Sequence, residues 1–442
     1  MVKTQRIALA LACGGAVLGC GTSGSGDSGG TDSGEVPLGE WTGDLLMIAQ
    51  VADASILFAD YPSGVVVGER CLSEIVPEEC RGEPGSTCLL FEIEHVPSEE
   101  NDALSMIYAH RNPEVDGQPS SLLEVGFNRP ALPDWRLSEL DYSTYFAKEF
   151  EERCASEDPQ AVCWLNMAHT STAVDEEHMV VADTRSSRIV VARPDQSTGS
   201  LEVRSLLEKS HPDWEYLAWV NHLEVFEEAG RRFLLSSFKA GGQVVEGQRN
   251  AGRIVLWDIS DLDAIQKVWT YPREGYLAAP HKAQRVQVDG ESYLLYAHSM
   301  GASESFIGEN LGTVGIARFS VEASPTYIGD WRLATDDGVL GFLRDVELLP
   351  DTNLLLTDSG CESLSDECQD MGEIVVVAWP ELPEPTGLDG SFQPGHTQQS
   401  LMDFEPEAVD LVPSVRFAYE TDFVPRESLV NLGEDLDFGR CP

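Results

Sequence analysis

Short apolar runs set between turn residues dominate the chain from Asn166 to Trp379, and they recur in a fixed order. Each unit opens with a polar strand start, passes a loop with Asp, Glu or Gly, and continues as an apolar strand ending in a small or acidic residue. A Gly or Ser turn then leads into another apolar strand. HTSTAV from His169, MVVAD ending at Asp183 and RIVVAR from Arg188 form the first copy. The second is HLEVF from His222, FLLSS from Phe233 and GRIVLWDI from Gly252; the third is HKAQRVQV from His281, YLLYAHS from Tyr293 and GTVGIARF from Gly312. RDVELL from Arg344, NLLLTDSG from Asn353 and GEIVVVAW from Gly372 make the fourth. Short runs rich in Val, Ile, Leu and aromatics predict strands, and no helical period competes within them. KVWTYP from Lys267 and TYIGDWRL from Thr326 supply a fourth strand in the second and third copies. The copies start 53, 59 and 63 residues apart, and four strands per repeat of this size predict the blades of a β-propeller.

The N-terminal part fits the pattern more loosely. DLLMIAQVADASILFAD (Asp44 to Asp60) reads as strands of one further blade, and CLLFEIEHV from Cys88 with LSMIYAHR from Leu104 reads as another. The expectation is an all-β, six-bladed propeller spanning 41–442 as one domain, closed by SVRFAYETDF (Ser414 to Phe423), which would complete the first sheet and remove exposed edges. One stretch departs from the strand pattern. In WRLSELDYSTYFAKEFEERC, Trp135 to Cys154, the residues Leu137, Leu140, Tyr145, Phe146 and Phe150 stand three and four apart, which predicts a short amphipathic helix inserted between blades.

The first residues change the picture of where the domain works. Lys3 and Arg6 precede an apolar run from Ile7 to Val17 that ends at Leu18-Gly19-Cys20, the plan of a secretory signal. AVLGC resembles the lipobox of bacterial lipoproteins, which implies a signal over 1–19, acylation of Cys20, and, with Gly21 rather than Asp following, the outer membrane. Residues 20–40 hold GTSGSGDSGGTDSGEVP, a tract too polar to bury a core and expected to act as a flexible tether. An exported chain meets an oxidising compartment, so Cys154 with Cys163 and Cys361 with Cys368 read as loop staples, and Cys441 as a tie to Cys71, Cys80 or Cys88.

Charge and site residues come last. With 29 basic against 75 acidic residues the net charge is -46, which repels phosphate backbones and excludes nucleic acid as a partner. Against that background His169, His222, His281 and Arg344 occupy one slot, or within a residue of it, in four successive repeats, at the start of the strand nearest the propeller axis. Histidine is 9 of 442 residues, so three in four aligned slots point to a shared site. Arg offers a planar fork for an oxyanion, and neutral His a nucleophilic nitrogen. This arrangement resembles the bacterial arylsulfate sulfotransferases over roughly Asn166 to Trp379. The resemblance implies sulfuryl transfer between phenols through a sulfohistidine, with His281 or His222 as nucleophile, His169 assisting, Arg344 binding the sulfuryl oxygens, and no cofactor. It departs in lacking room for the N-terminal β-sandwich usual there. His95 is a weaker candidate, while His110 and His298 read as structural. A rival enzyme class, the calcium-dependent propeller lactonases, would use Glu94, Asn221 and Asp345 as metal ligands, although strand alternation would turn Asn221 and Asp345 away from the axis. The remaining alternative is a noncatalytic surface propeller that binds a protein, glycan or small anion.

Overall fold

Continuous apolar runs such as FLLSSF and LLLTD suit sheets that are covered on both faces, and that is how the strands are used. The computed structural model describes residues 42–51, 54–76, 80, 87–96, 102–111, 120–127, 135–141, 163–214, 217–241, 251–273, 277–298, 313–332, 334–335, 338–339, 342–360, 372–382, 401–403 and 409–429. Six of the sheets they build are arranged as the blades of a β-propeller, and Ala334–Thr335 with Gly338–Val339 makes a separate two-stranded sheet. From inner to outer edge, blade 2 is Thr87–Val96, Ala103–Arg111, Ser120–Gly126 and Trp135–Leu137, and blade 3 is Ala168–Ala173, Met179–Asp183, Arg188–Asp195 and Ser200–Leu207. Blade 4 is Leu217–Glu228, Arg231–Gly241, Ala251–Asp258 and Gln266–Tyr271; blade 5 is Pro280–Val288, Glu291–His298, Thr313–Arg318 and Thr326–Arg332. Blade 6 is Leu343–Leu348, Asn353–Asp358, Gly372–Ala378 and Val409–Val415.

Blade 1 joins the two ends of the chain. Its inner strand is Ala418–Val424, which pairs with Asp44–Gln50, followed outward by Ser55–Tyr61 and Val66–Cys71. The expected closing segment thus divides at a turn: Ser414 and Val415 end blade 6, and Ala418 onward closes the ring. Two short strands add parallel fifth members to the outer edges of neighbouring blades, Glu139–Asp141 on blade 3 and Leu401–Asp403 on blade 5.

The expected helix is overturned where it can be seen. Trp135–Leu137 and Glu139–Asp141 are strands, and 142–154 lies outside the described residues. Leu137 faces Leu122 in blade 2, the chain breaks pairing at Ser138, and Leu140 faces Leu201 in blade 3. The three-residue spacing of two buried leucines comes from this crossover between sheets, not from a helical turn.

Each pair of adjacent blades shares its own apolar core. Phe233 and Leu235 pack toward blade 5, while Leu234 and Phe238 on the same strand pack toward blade 3. The other five junctions repeat this division, so alternate residues of every middle strand serve two cores. Cys80 and Cys88 form a disulfide, which removes both as partners for Cys441, a residue outside the description along with Cys154, Cys361 and Cys368. Cys71 and Cys163 are disulfide-bonded as well.

Candidate functional site

Regular alternation would send one of two neighbouring inner-strand side chains to the axis and the next between blades. All six inner strands break that rule at the same place. An extra residue stands against the partner strand at Phe91, His169, Asn221 and Arg344, and again between Pro280 and Ala283 and between Ala418 and Thr421. Each is a β-bulge, which bends the strand and re-aims a side chain. The six bulges gather Phe91, His169, Asn221, His281, Arg344 and Tyr419 into one tier at one end of the channel. The next residue of each strand forms a second tier: Glu92, Thr170, His222, Lys282, Asp345 and Glu420. Apart from Glu92, both tiers line one small cavity.

The backbone leading into the tier is strained. Met167, Trp219, Ala279 and Phe417, each two residues before a tier side chain, have φ of 52, 57, 48 and 53°, a left-handed conformation that costs a non-glycine residue on the order of 1–3 kcal/mol. Aspartates fix the approach in two blades. Asp183 accepts the N–H of Asn166 at 2.6 Å, and Asp358 that of Phe342 at 2.7 Å.

Tyr419 links the two tier imidazoles. Its hydroxyl is 3.0 Å from Nδ1 of His169 and 3.0 Å from Nε2 of His281. With one hydroxyl hydrogen, Tyr419 donates to one ring and accepts from the other; where it donates to His281, Nδ1–H of His169 donates to it and Nε2 of His169 carries the lone pair. Nε2 of His169 and both amide atoms of Asn221 make no hydrogen bond of good geometry among the described residues, although the Asn221 amide stands close enough to the ring to favour its protonated form. His169 and Asn221 are only 5% and 3% exposed. In the second tier Nδ1 of His222 is likewise without a hydrogen-bond partner among the described residues.

The imidazoles are held neutral. Burial, reinforced by Lys239 and Arg344, pushes His169 down to about 3. Burial and then Arg344 hold His281 well below the usual histidine range, and burial and then Lys282 do the same for His222. Burial pushes the Tyr419 phenol up, so it stays protonated. The Arg344 guanidinium lies 5.4 Å from the Tyr419 ring centroid, with Nε donating to Ser359 at 2.9 Å. A neutral imidazole with a free lone pair beside fixed positive charge is equipped to attack or hold an electron-poor, anionic group.

Below this tier the channel turns acidic, and the acids tie blade to blade. Glu92 accepts the N–H of Ser171 at 2.8 Å, Asp345 that of Thr421 at 3.0 Å, Glu224 that of Arg285 at 2.7 Å, and Asp422 that of His95 at 2.9 Å. Each carboxylate meets an N–H one residue further along in the next blade. Inner strands splayed about an axis do not form a ladder with one another, so their unpaired N–H groups need side-chain acceptors. Lys282 lies among these acids, 2.7 Å from Asp345. Its charge is retained because Asp345, Glu347 and Glu420 outweigh the cost of burial.

Thus His169, His281 and Arg344 stand together in the bulged tier, and His222 stands one step below with Asn221 in the register slot. The bulges also bring Asn221 and Asp345 onto the cavity, where alternation had turned them away. As ligands for one ion Glu94, Asn221 and Asp345 do not converge, because they occupy three tiers and Asp345 is engaged by Lys282 and Thr421. No group of three His, Cys, Asp or Glu suited to a metal occurs among the described residues. His95 sits lower, 3.8 Å from Asp102, and His298 is buried 3.5 Å from Asp330, while the His110 side chain is outside the description. Sequence reasoning missed Tyr419, Phe91 and Lys239. The signal for Tyr419 was available: in AYETD it precedes Glu420 and Thr421 as Arg344 precedes Asp345 and Val346.

No family model and no curated protein matches the chain. Solved structures match in fold at low identity. The Pseudomonas aeruginosa periplasmic gluconolactonase is 10% identical, with a TM-score of 0.43 over 87% of this chain and 99% of that one. A hypothetical selenium-binding protein from Sulfolobus tokodaii gives 12% and 0.45 over 86% and 93%. A protein assigned as a 6-phosphogluconolactonase from Bacteroides uniformis gives 12% and 0.42 over 87% and 100%.

Proposed function

We propose that the bulged end of the channel binds a small oxyanion and passes it on through His169. The observation that supports this reading is the bare, buried Nε2 of His169, oriented through Nδ1 by Tyr419 and set beside the charges of Arg344 and Lys239. In the proposed cycle Nε2 attacks the central atom of an ester, the bond to the leaving oxygen breaks, and the ring passes its Nδ1 proton through Tyr419 to His281. An acceptor hydroxyl then takes the group as its bond to Nε2 breaks, the acceptor's proton goes to the departed oxygen, and His281 returns the ring proton through Tyr419. Arg344, which lines the cavity, holds the oxyanion charge, and Lys239 adds to the positive field. Sulfuryl transfer between phenols, the activity implied by the resemblance to arylsulfate sulfotransferases, is one form of this chemistry, with His169 replacing His281 or His222 as the attacking group.

The cavity is of the order of a single water, so a transferred group reaches Nε2 only if the tier side chains open. That tightness favours a second reading, in which there is no turnover and the propeller presents its rim to a protein or glycan. A turnover assay with 4-nitrophenyl sulfate and phenol separates the two. Release of nitrophenol that requires phenol, and that is lost in folded His169→Ala, supports transfer; full activity in that variant would remove His169 from the mechanism. We further propose export and acylation at Cys20 in the outer membrane, on the signal and AVLGC pattern. Cys20→Ser should move the protein from the membrane to the soluble fraction, and unchanged membrane attachment would exclude the anchor.

A further inference from the structure

The approach to His169 is held around a buried ion pair. Arg188 and Asp183 face each other across the third and second strands of blade 3, with Nε 2.6 Å from Oδ2 and side chains only 4% and 0% exposed. Each also holds the segment that leads to His169. A terminal nitrogen of Arg188 donates to the Trp164 carbonyl at 3.1 Å, and Oδ1 of Asp183 accepts the Asn166 N–H at 2.6 Å. Around them the Arg185 N–H donates to the Asn166 carbonyl at 3.1 Å, and the Ser120 hydroxyl of blade 2 accepts the Ala168 N–H at 2.8 Å. Resting on the reading of His169 as the attacking group, we infer that Arg188 and Asp183 are positioning residues, a clamp that sets the bulge and so aims the His169 ring at the cavity.

The strand register shows how. Asp183 pairs with Ala168 while Ala182, the residue before it, pairs with Thr170, which leaves His169 as the extra residue. Without the clamp the ladder would continue regularly and Asp183 would face His169. Thr170 lines the cavity, so alternation would then turn His169 away from it, between the blades. The left-handed backbone at Met167 would also lose the bonds on either side that over-determine it. Nδ1 of His169 would leave the place where it stands 3.0 Å from the Tyr419 hydroxyl. A buried ion pair is a poor device for mere stability, because apolar side chains of similar volume hold two strands together as well or better; its best-attested use is to fix register. The pair is matched to the blade that carries His169. In blade 6 Asp358 accepts the Phe342 N–H in the same manner, yet the residue facing it across the strands is Glu373.

Replacing both members together, Asp183→Leu with Arg188→Met, separates aiming from folding. The double variant of the full chain should keep the native circular dichroism and a cooperative unfolding transition. With 13C placed at histidine Cε1, the signals of His169 and of His281, its partner through Tyr419, should be displaced, while that of His211, packed on Trp257, stays in place; each signal is assigned by its loss in the corresponding His→Ala variant. Turnover of 4-nitrophenyl sulfate should fall about tenfold or more through kcat with KM little changed, since the ring is misplaced while Arg344 is not. Arg188→Lys keeps the charge but not the rigid fork that reaches Asp183 and the Trp164 carbonyl together, and should lie between. His169 and His281 signals that stay in place in the folded double variant overturn the inference, whatever the turnover. Should that variant not fold, Arg188→Lys decides on the same signals: displaced, they support the clamp; unmoved, they overturn it. A wild type without turnover whose histidine signals still move in the variants ends the transfer reading alone and leaves the clamp standing.

Discussion

Tyr419 has one hydroxyl hydrogen and two imidazoles to serve, and it satisfies both only because one donates to it and the other accepts from it. Tyr419→Phe keeps the ring that Arg344 stacks on but leaves Nδ1–H of His169 and Nε2 of His281 unpaired in a buried site. It should lower stability by about 1–3 kcal/mol per unpaired group, measured by chemical denaturation, while the native circular dichroism is retained; an unchanged midpoint would mean the two bonds are not made. Arg344→Lys keeps a charge but loses the planar fork, its bond to Ser359 and its stacking on Tyr419. Oxyanion affinity should drop by roughly tenfold or more, read by calorimetric titration of the full chain with sodium sulfate, and a lysine variant equal to wild type would remove the fork from the site. Three of the six tier residues were visible in the sequence because His and Arg are rare, chemically distinct residues in matching slots. Phe91 carries no such mark, and Tyr419 belongs to a blade whose other strands lie at the opposite end of the chain. His222 was read as the slot residue although Asn221 holds it, since a one-residue slip between chemically plausible neighbours is invisible without the partner strand.

At the level of elements, the strands were legible and the bulges were not. Every run quoted from the repeats is a strand, because two-sided burial leaves an apolar signature within the strand itself. A bulge is a count of two residues against one across a pair, so it exists only once the pairing is known. The same limit applies to the glycines that open third strands. They read as turn residues, but Gly252 is needed for close approach: an added Cβ would stand 2.3 Å from the Phe238 carbonyl oxygen and 2.2 Å from Cδ of Pro280. Gly252→Ala should therefore cost about 1–3 kcal/mol through forced backbone displacement, and a neutral result in thermal unfolding would show that blade 4 can shift freely beside the tier. The opposite ends of two inner strands offer a contrast in turn chemistry. Asp289-Gly290 and Ala229-Gly230 both have positive φ throughout, at 53 and 83° and at 52 and 75°, the geometry of a two-residue hairpin loop that favours Asn or Asp first. Ala229→Asn should raise stability by roughly 0.5–1 kcal/mol by removing strain from an exposed alanine; destabilisation would contradict the turn assignment.

Across the whole molecule, the axis concentrates acids that other proteins keep at the surface, and this sets a pH dependence whose sign can be worked out. Burial raises Glu224 to about 7 and, aided by Asp422, Glu94 to about 7, even though Glu94 still contacts solvent at the channel. Burial likewise raises Glu347 to about 8 and Asp422 to about 6, and carries Glu92 and Glu420 well above the usual range. A carboxyl whose folded pKa is raised binds protons more readily folded than unfolded, so it contributes stability below its unfolded value near 4.5 and loses it as pH rises toward the folded one. His169, His222 and His281 act in the opposite sense: their depressed folded values make them favour folding above about 6.5 and oppose it as pH falls. Between about pH 5 and 6.5 six carboxyls outweigh three imidazoles, and above that only the carboxyls remain in play. Stability should therefore peak on the acid side, at about pH 5, and decline toward pH 8. A net charge of -46 adds surface repulsion of the same sign, but added salt screens exposed charges far more than buried ones. Unfolding midpoints measured from pH 4 to 9 at low and at high salt separate the two contributions. The buried share should persist at high salt and shrink in Glu347→Gln, whereas a profile that becomes flat in salt would assign the whole effect to the surface and leave the channel acids electrostatically silent.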